Sequence, residues 1–208
     1  MVEDKGYNIF LDSSIKGRAY MYDSERDAFM VALKALGYSM NTVDENEIEQ
    51  AYQWLLDMNS KIEPSYITDE VIDGMITEQK DIAVVYSGQA SVILDENESM
   101  SFYLPTDGTN YWTDGMVIPA SSKCSDLAHA FINFNLGYDA AKDNSEYVGY
   151  PSNNQEVLDE LSSDGGYYYQ NEAYLPETAV DNPLHEYFIH NETLIKKLSD
   201  LWIRVKSK

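Results

Sequence analysis

An aromatic side chain and a carboxylate stand two residues apart in the stretch NYWTDG, residues 110–115. Trp112 precedes Asp114, and an apolar run, MVIPA, follows directly. An aromatic ring attracts positive charge and covers methylenes, and a carboxylate beside it supplies the anion for an amine. The pair is therefore typical of a site for an organic cation, although a buried strand-end tryptophan and a turn-forming aspartate would produce the same letters.

The charge of the chain favours the same kind of ligand. Lys and Arg number 14 and Asp and Glu 36, which gives a formal net charge of -22 over 208 residues. Such a field repels nucleic acid and anionic lipid and attracts cations. We therefore expect no nucleic-acid partner, although an acidic surface also serves solubility alone.

Signatures of an enzyme are missing from the sequence. It contains no G-x-S-x-G, Walker, G-x-G-x-x-G or H-E-x-x-H motif and no calcium loop, so we expect no cofactor and no metal site. The three histidines, His129, His185 and His190, lack metal-ligand spacing. A hydrolase that uses a pair of acids stays open, because the many carboxylates single out no pair.

The elements that position these residues follow from hydrophobic periodicity. Strands are predicted over 18–22 and 81–88 and near 100–104 and 115–119. Helices are predicted over 24–37, 44–61, 69–79, 89–96, 125–137, 138–151 and 191–206. Alternating short strands and helices favour an α/β protein, and a chain that is 44% hydrophobic supports a sizeable core.

In this order the motifs resemble the spermidine/putrescine-binding proteins, the solute receptors of polyamine importers. The similarity runs from about Gly17 to Lys206 and rests on six segments: YDSERDAFMVALKALGYSMNT, an acidic two-helix segment, IAVVYSGQA, LPTDGTNYWTDGMVIP, AFINF and VGYPSNN. It implies a type II periplasmic-binding-protein-like α/β fold, with a mixed sheet and helices on both faces, that closes around ligand in a cleft. It also implies a receptor rather than an enzyme.

The resemblance implies a set of ligand-binding residues. Trp112 would stack along a polyamine and Asp114 would pair with an amine. Thr68 matches a hydroxyl contact, Tyr86 replaces a common tryptophan, and Tyr150 matches a cleft tyrosine. The ligand agrees with the residue types, because charges spaced by methylenes need separated anions with aromatic walls between them.

Three further positions depart from the family or have a second explanation. Asp27 matches a family acid that holds a terminal amine, yet Ser24 and Asp27 also form a helix capping box. Ser24 stands where the family often has an aspartate, which removes one amine anchor. Phe188 stands where some members have a glutamine, so an amide contact would be lost. Ser24 and Phe188 are therefore the weaker candidates.

Two alternatives remain beside the polyamine receptor. Tyr167, Tyr168 and Tyr169 resemble the adjacent tyrosines of ferric-ion receptors, so a receptor of the same fold for ferric ion or another cation is one alternative. We expect instead that this loop packs its own tyrosines. The other alternative is the acidic-pair hydrolase, which needs two carboxylates facing each other, whereas a cation receptor needs its acids and aromatics to face one cleft.

The resemblance also implies an organisation in lobes. Residues 14–113 would form the carboxyl-terminal lobe, 114–158 would cross to the first lobe, and 159–208 would return as helices, with the amino-terminal lobe largely absent. We therefore expect a fragment that binds polyamines weakly, leaves apolar surface uncovered over 115–136 and self-associates. Its other partners would be a polyamine and the membrane permease of an ABC transporter. Its location would be extracytoplasmic, although the opening MVEDKGYNIF is no signal peptide.

Overall fold

A computed structural model describes residues 2–175 and 182–207 of the chain. Its α-helices are α1 (Val2–Lys5), α2 (Glu25–Ala35), α3 (Glu45–Ile62), α4 (Val71–Ile76), α5 (Ser87–Glu96), α6 (Ser125–Asn135), α7 (Tyr138–Val148), α8 (Gln155–Ser162) and α9 (Glu192–Lys206). Its strands are β1 (Ala19–Tyr22), β2 (Ser65–Ile67), β3 (Ile82–Ala83), β4 (Asn110–Tyr111) and β5 (Glu186–Tyr187). Two 3-10 helices, Gly6–Leu11 and Ser13–Ile15, lie between α1 and β1.

The chain folds into two compact units. The described part of unit 1 comprises residues 2–85, 103–112 and 182–207, and that of unit 2 comprises 86–102 and 113–175. The lobe boundaries expected from the sequence lie after residues 113 and 158 instead. Their assignment as the lobes of a receptor stays a prediction.

Unit 1 contains a parallel three-stranded sheet with β1 at its centre. Tyr20 of β1 lies opposite Ser65 of β2 on one side and Ala83 of β3 on the other. Ala19 and Met21 of β1 are fully buried, as expected for a central strand whose two faces are both covered. A mixed sheet is expected from the sequence, whereas the strand pairs of the described residues are all parallel.

Side-chain caps start the three long helices of unit 1. Ser24, Asp44 and Asn191 accept backbone N–H hydrogen bonds at the first turns of α2, α3 and α9, at 3.4, 2.7 and 3.1 Å. Each cap satisfies a backbone donor that would otherwise lack an intrahelical partner. The three helices meet in one apolar core, to which they contribute the buried side chains of Phe29, Leu55 and Trp202 among others.

An ion pair joins the segment around β5 to α2. Lys34, whose side chain is 3% exposed, donates to Glu186 and to the carbonyl oxygen of Leu184 at 2.6 Å. Glu186 also accepts from Ser39 Oγ at 2.5 Å and from Asn41 Nδ2 at 3.1 Å. Burial alone would raise the pKa of Glu186, but the hydrogen bonds from Lys34, Ser39 and Asn41 outweigh it and lower that pKa.

Unit 2 has a smaller core that is partly aromatic. It consists of the buried side chains of Ala141, Val157, Leu161, Tyr168 and Tyr174. The rings of Tyr168 and Tyr174 stack with their centroids 4.3 Å apart. The hydroxyl of Tyr168 donates to the carbonyl oxygen of Glu146 at 2.7 Å, so this tyrosine packs within unit 2 as the sequence predicts.

The helix α6 is the exception within unit 2, because it contains no buried residue. Leu127 is 70% exposed, Phe131 61% and Phe134 70%. Met116 and Val117, which precede the helix, are exposed as well. The uncovered apolar surface expected over 115–136 is therefore present.

Two local predictions are wrong in the described residues. No strand forms at 100–104 or 115–119. The helix α8 is absent from the list of predicted helices. The predicted strand over 81–88 shortens to β3, because α5 already begins at Ser87. An apolar run becomes a strand only when a neighbour completes its backbone hydrogen bonds, and periodicity alone cannot supply that neighbour.

Candidate functional site

Two candidate residues of unit 1 follow adjacent parallel strands. Ser24 lies two residues beyond β1, and Thr68 directly follows β2. The two strand ends are joined, since the N–H of Asp23 donates to the carbonyl oxygen of Ile67 at 2.9 Å. Ligands of open α/β sheets bind outside the carboxyl ends of the strands, so the sheet places Ser24 and Thr68 at the edge where a ligand is expected.

Ser24 and Asp27 form the start of α2. The hydroxyl of Ser24 accepts from the N–H of Asp27 at 3.4 Å, which confirms the predicted cap. The carboxylate of Asp27 belongs to a residue that is only 4% exposed. It lies near Tyr7, whose pKa is raised to about 12, first by burial and then by the negative charges of Asp107 and Asp27. The role of Asp27 as an amine anchor stays a prediction.

Tyr7 connects α2 with the approach to β4. Its hydroxyl lies 3.7 Å from the sulfur of Met30, one turn beyond Asp27 on α2. Its backbone N–H donates to Asp107 at 3.3 Å, and Thr109 stands next to β4 with its hydroxyl 4.0 Å from the same sulfur. No local pattern could have singled out Tyr7, because these contacts join segments about 20 and 100 residues away.

Thr68 is exposed, and its hydroxyl is directed to a carboxylate of its own chain. The hydroxyl donates to Glu70 at 3.0 Å and the N–H of Thr68 donates to the same oxygen at 3.1 Å. The pKa of Glu70 is lowered by its own backbone N–H first and by these two donors next. A ligand contact at Thr68 would therefore share the hydroxyl with Glu70.

The two aromatic candidates of unit 1, Trp112 and Phe188, follow the two strands of a parallel pair. Tyr111 of β4 and Tyr187 of β5 are opposite each other, with ring centroids 3.7 Å apart. The residue directly after each strand is a candidate, Trp112 at 39% exposure and the half-buried Phe188. The guanidinium of Arg26 lies 4.3 Å from the centre of the Phe188 ring, so this ring already holds a cation of the protein.

The candidates Tyr86 and Tyr150 meet the first turn of the same helix in unit 2. Tyr86 precedes α5, and a Cβ atom at Gly88, in the first turn, would clash with the ring of Tyr150. Glycine is therefore required there for the ring to lie against the helix. Gly149, with φ of 73°, ends α7 just before Tyr150. Gly88 lies in the motif IAVVYSGQA, and that glycine was the available signal for this contact.

A buried serine fixes the backbone of Tyr150. Ser145, 3% exposed, donates its hydroxyl proton to the carbonyl oxygen of Tyr150 at 2.5 Å. Its hydroxyl oxygen is also 2.8 Å from the hydroxyl of Tyr174. Since Ser145 has a single hydroxyl proton, Tyr174 is the donor in the second bond. The core of unit 2 thus positions a candidate site residue that sequence reasoning had selected without this support.

Asp114 is exposed and lies in a stretch of unit 2 without regular structure. The predicted residues thus divide between the units. Unit 1 contains Ser24, Asp27, Thr68, Trp112 and Phe188, and unit 2 contains Tyr86, Asp114 and Tyr150. Their roles toward a ligand stay predictions.

Two of the three tyrosines considered for ferric ion are occupied by other contacts. Tyr168 is buried in the core of unit 2, and Tyr167 donates its hydroxyl to Asp95 at 2.9 Å. Among the described residues, no group of three or more His, Cys, Asp or Glu side chains stands close enough to hold a metal ion. These contacts give the loop a packing role.

Parallel strands that alternate with helices define an α/β protein. The sequence profile of the bacterial extracellular solute-binding proteins matches residues 3–172. The chain belongs to this family. Over 2–175 and 182–207, no helix is both long and apolar enough to cross a membrane.

Several proteins named for spermidine and putrescine are similar to this chain. The chain is 32% identical over 170 residues to the spermidine/putrescine-binding periplasmic protein of Escherichia coli (strain K12), a match that covers 82% of this chain and 45% of the relative. The crystal structure of a spermidine/putrescine ABC transporter substrate-binding protein from Streptococcus pneumoniae superposes with a TM-score of 0.78 at 31% identity, covering 98% of this chain and 62% of that protein. A Listeria monocytogenes protein assigned to a spermidine/putrescine ABC transporter gives a TM-score of 0.81 at 32% identity, with 99% and 63% covered.

These comparisons confirm the periplasmic-binding-type α/β fold and membership of the solute-binding protein family. The chain spans about half the length of the curated relatives that it matches.

Proposed function

We propose that this chain carries part of the polyamine-binding site of an ABC import receptor that works outside the cytoplasm with a membrane permease. The observation that carries the proposal is its 32% identity over 170 residues to a protein named for spermidine and putrescine binding. The matched family region, residues 3–172, contains every candidate site residue except Phe188.

The residue chemistry supports a polycationic ligand. A polyamine alternates ammonium groups with methylene segments, so it needs anions at intervals and aromatic surface between them. The chain offers a half-exposed ring at Trp112 and an exposed carboxylate at Asp114 two residues later. The net charge of -22 adds a long-range attraction for cations.

Tryptophan fluorescence tests the proposal on the chain itself. Trp54 and Trp202 are 6% and 4% exposed, whereas Trp112 is 39% exposed, so a ligand-induced change reports on Trp112. We expect spermidine and putrescine to shift the emission with a Kd of about 0.1 to 1 mM, since exposed ion pairs contribute little. Butane-1,4-diol, which keeps the methylenes and lacks the charges, should leave the emission unchanged. No response up to about 10 mM polyamine, or an equal response to the diol, would refute the proposal.

A charge-matched pair of variants separates a site from a general field. Asp114→Asn should weaken polyamine binding about two- to fivefold, because an exposed carboxylate contributes up to about 1 kcal/mol to an ion pair. Asp126→Asn removes the same charge from α6 and should leave the affinity unchanged. Equal losses in both variants would show that polyamines respond only to the net charge.

A further inference from the structure

A carboxylate at the end of β1 is bound by two side chains of α9. Asp23 directly follows β1, and its Oδ1 atom accepts from Trp202 Nε1 at 3.2 Å and from Lys206 Nζ at 2.6 Å. Lys206 lies one turn beyond Trp202, and its ammonium group is 5.6 Å from the centre of the indole ring. The contacts join residues that are 179 and 183 positions apart, so they hold α9 against the end of the central strand.

The two contacts of Asp23 differ in burial. Trp202 is 4% exposed, and a buried indole N–H needs an acceptor because leaving it unpaired costs free energy. The side chains of Asp23 and Lys206 are 33% and 35% exposed, so solvent screens their ion pair and the pair contributes little. The hydrogen bond from Trp202 is therefore the contact that fixes the carboxylate.

The ring of Trp202 is itself fixed by β2 and α3. The ring of Tyr66 in β2 packs edge-on against it, with the ring centroids 5.0 Å apart. The hydroxyl of Tyr66 donates to Asn59 of α3, and the amide of Asn59 donates to the carbonyl oxygen of Val205 at 2.6 Å. Burial raises the pKa of Tyr66, the hydrogen bond with Asn59 opposes the rise, and the negative charge of Asp23 adds to it. Trp202 thus offers its N–H from a position that two other elements determine.

Asp23 also belongs to the turn that leads to two candidate site residues. Its N–H donates to the carbonyl oxygen of Ile67, at the end of β2, at 2.9 Å. The next residue, Ser24, caps α2 by accepting from the N–H of Asp27 at 3.4 Å. Because Asp23, Ser24 and the first turn of α2 are consecutive in the chain, a contact that fixes Asp23 also restrains both candidates.

We propose that Asp23 is a positioning residue of the polyamine site. Its hydrogen bond with Trp202 makes α9 hold the turn that presents Ser24 and Asp27, and Asp23 acts without contacting the ligand. The inference rests on the proposed function, because only a ligand gives this turn a role in binding. Side chains that are held in place beforehand bind more tightly, since ordering them during binding costs free energy.

Two variants of equal charge separate positioning from direct contact. Asp23→Asn keeps an oxygen that accepts from Trp202, whereas Asp23→Ala removes it, and both variants lose the negative charge. In the fluorescence titration, Asp23→Ala should weaken spermidine binding about three- to tenfold, and Asp23→Asn should bind within about twofold of the wild type. Equal losses in the two variants would show that the charge acts on the ligand directly and would overturn the positioning role.

Variants of the neighbouring aromatic residues test whether the effect passes through the indole. Trp202→Phe keeps a ring against Tyr66 and removes the donor, so it should weaken spermidine binding as Asp23→Ala does. The matched control, Tyr66→Phe, removes the hydrogen bond to Asn59 and keeps the ring against Trp202. It should lower the free energy of unfolding and leave the affinity unchanged. An affinity loss in Tyr66→Phe as large as that in Trp202→Phe would mean that any loss of stability weakens binding, and the positioning role would be refuted.

Hydrogen exchange tests the turn without a ligand. The N–H of Ala28 donates to the carbonyl oxygen of Ser24 at 2.9 Å, so its exchange reports on the start of α2. Relative to the amides of α3, it should exchange about tenfold faster in Asp23→Ala and at the wild-type rate in Asp23→Asn and Tyr66→Phe. Unchanged exchange in Asp23→Ala, or faster exchange with unchanged spermidine affinity, would overturn the inference.

The same exchange rates separate this inference from the proposed function. If the wild type does not respond to polyamines, the proposed function fails, and faster exchange in Asp23→Ala would still support the hold of α9 on the turn. If the wild type binds spermidine and the exchange of Ala28 is the same in all variants, the proposed function stands and the positioning role of Asp23 is wrong.

Discussion

The helices α2 and α6 are equally long, but α2 buries its apolar residues whereas α6 contains no buried residue. Each spans 11 residues and follows an amphipathic pattern. The helix α2 buries residues 27–34 against α3, α9 and the sheet of unit 1, while α6 buries none of its residues and contacts α7. The local pattern therefore specifies a helix and its apolar side in both cases. Whether that side becomes core depends on the elements that surround it.

The largest effect expected from this comparison is a difference between two identical substitutions. Phe29→Ala on α2 should lower the free energy of unfolding by about 3 to 5 kcal/mol, since Phe29 is fully buried and the change leaves a cavity. Phe134→Ala on α6 should change it by less than about 0.5 kcal/mol. Urea denaturation followed by circular dichroism measures both, and similar losses would mean that α6 is covered in the folded chain.

The buried ion pair of unit 1 should come next in size. Glu186→Gln leaves the charge of Lys34 buried without its carboxylate, and we expect a loss of about 1 to 3 kcal/mol at pH 7. Because folding lowers the pKa of Glu186, its contribution is present above the ordinary value of 4.5 and is lost as the pH falls below it. The stability difference between wild type and variant should therefore shrink from pH 5 to pH 3.

Ser207→Ala, which also removes a side-chain hydrogen bond in unit 1 but no charge, serves as the control. Its stability difference from the wild type should not depend on pH over the same interval. A pH-independent difference for Glu186→Gln would mean that the carboxylate is not stabilised by its donors.

The core of unit 2 should depend more on hydroxyl groups than that of unit 1 does. Tyr174→Phe keeps the ring stacked on Tyr168 and removes the bond to Ser145. We expect a loss of about 1 to 2 kcal/mol, because the oxygen of Ser145 loses a buried donor. Hydrogen exchange measures the effect locally: amides of α7 and α8 should exchange faster, while those of α2 and α3 should not. Uniform acceleration in both units would show that they unfold together.

Sequence reasoning recovered the helices because their signals are local. The capping serine and apolar spacing of α2 stand within one segment, as do the apolar residues of α6. The helix α8 is absent from the predicted helices even though Asn154 caps it and Val157 and Leu161 are spaced for one face. Eight residues offer few periods for a pattern to repeat.

The sequence predicts the candidate site residues less completely than it predicts the helices. The sequence singled out Tyr150 and Ser24, and the cap at Ser24 is a local feature that the structure confirms. The contacts that support these residues join distant segments, as when the ring of Tyr150 lies on Gly88, and a single sequence does not show which distant segments meet. Tyr7, close to Asp27, has no sequence signal for the same reason.

The smallest expected effect concerns Trp112, which is partly exposed like the residues of α6 but has a proposed ligand. Trp112→Leu should weaken spermidine binding by about 0.5 to 1 kcal/mol, roughly two- to fivefold, because leucine covers methylenes but offers no aromatic face to the ammonium groups. Trp112→Phe keeps such a face and should lose less. Calorimetry is the suitable measurement, since the substitution removes the fluorescent reporter. Unfolding should be unaffected within about 0.5 kcal/mol, as for Phe134→Ala, because a half-exposed ring beyond the end of β4 contributes little packing. If leucine binds spermidine as tightly as tryptophan does, the ring at position 112 has no role in cation recognition.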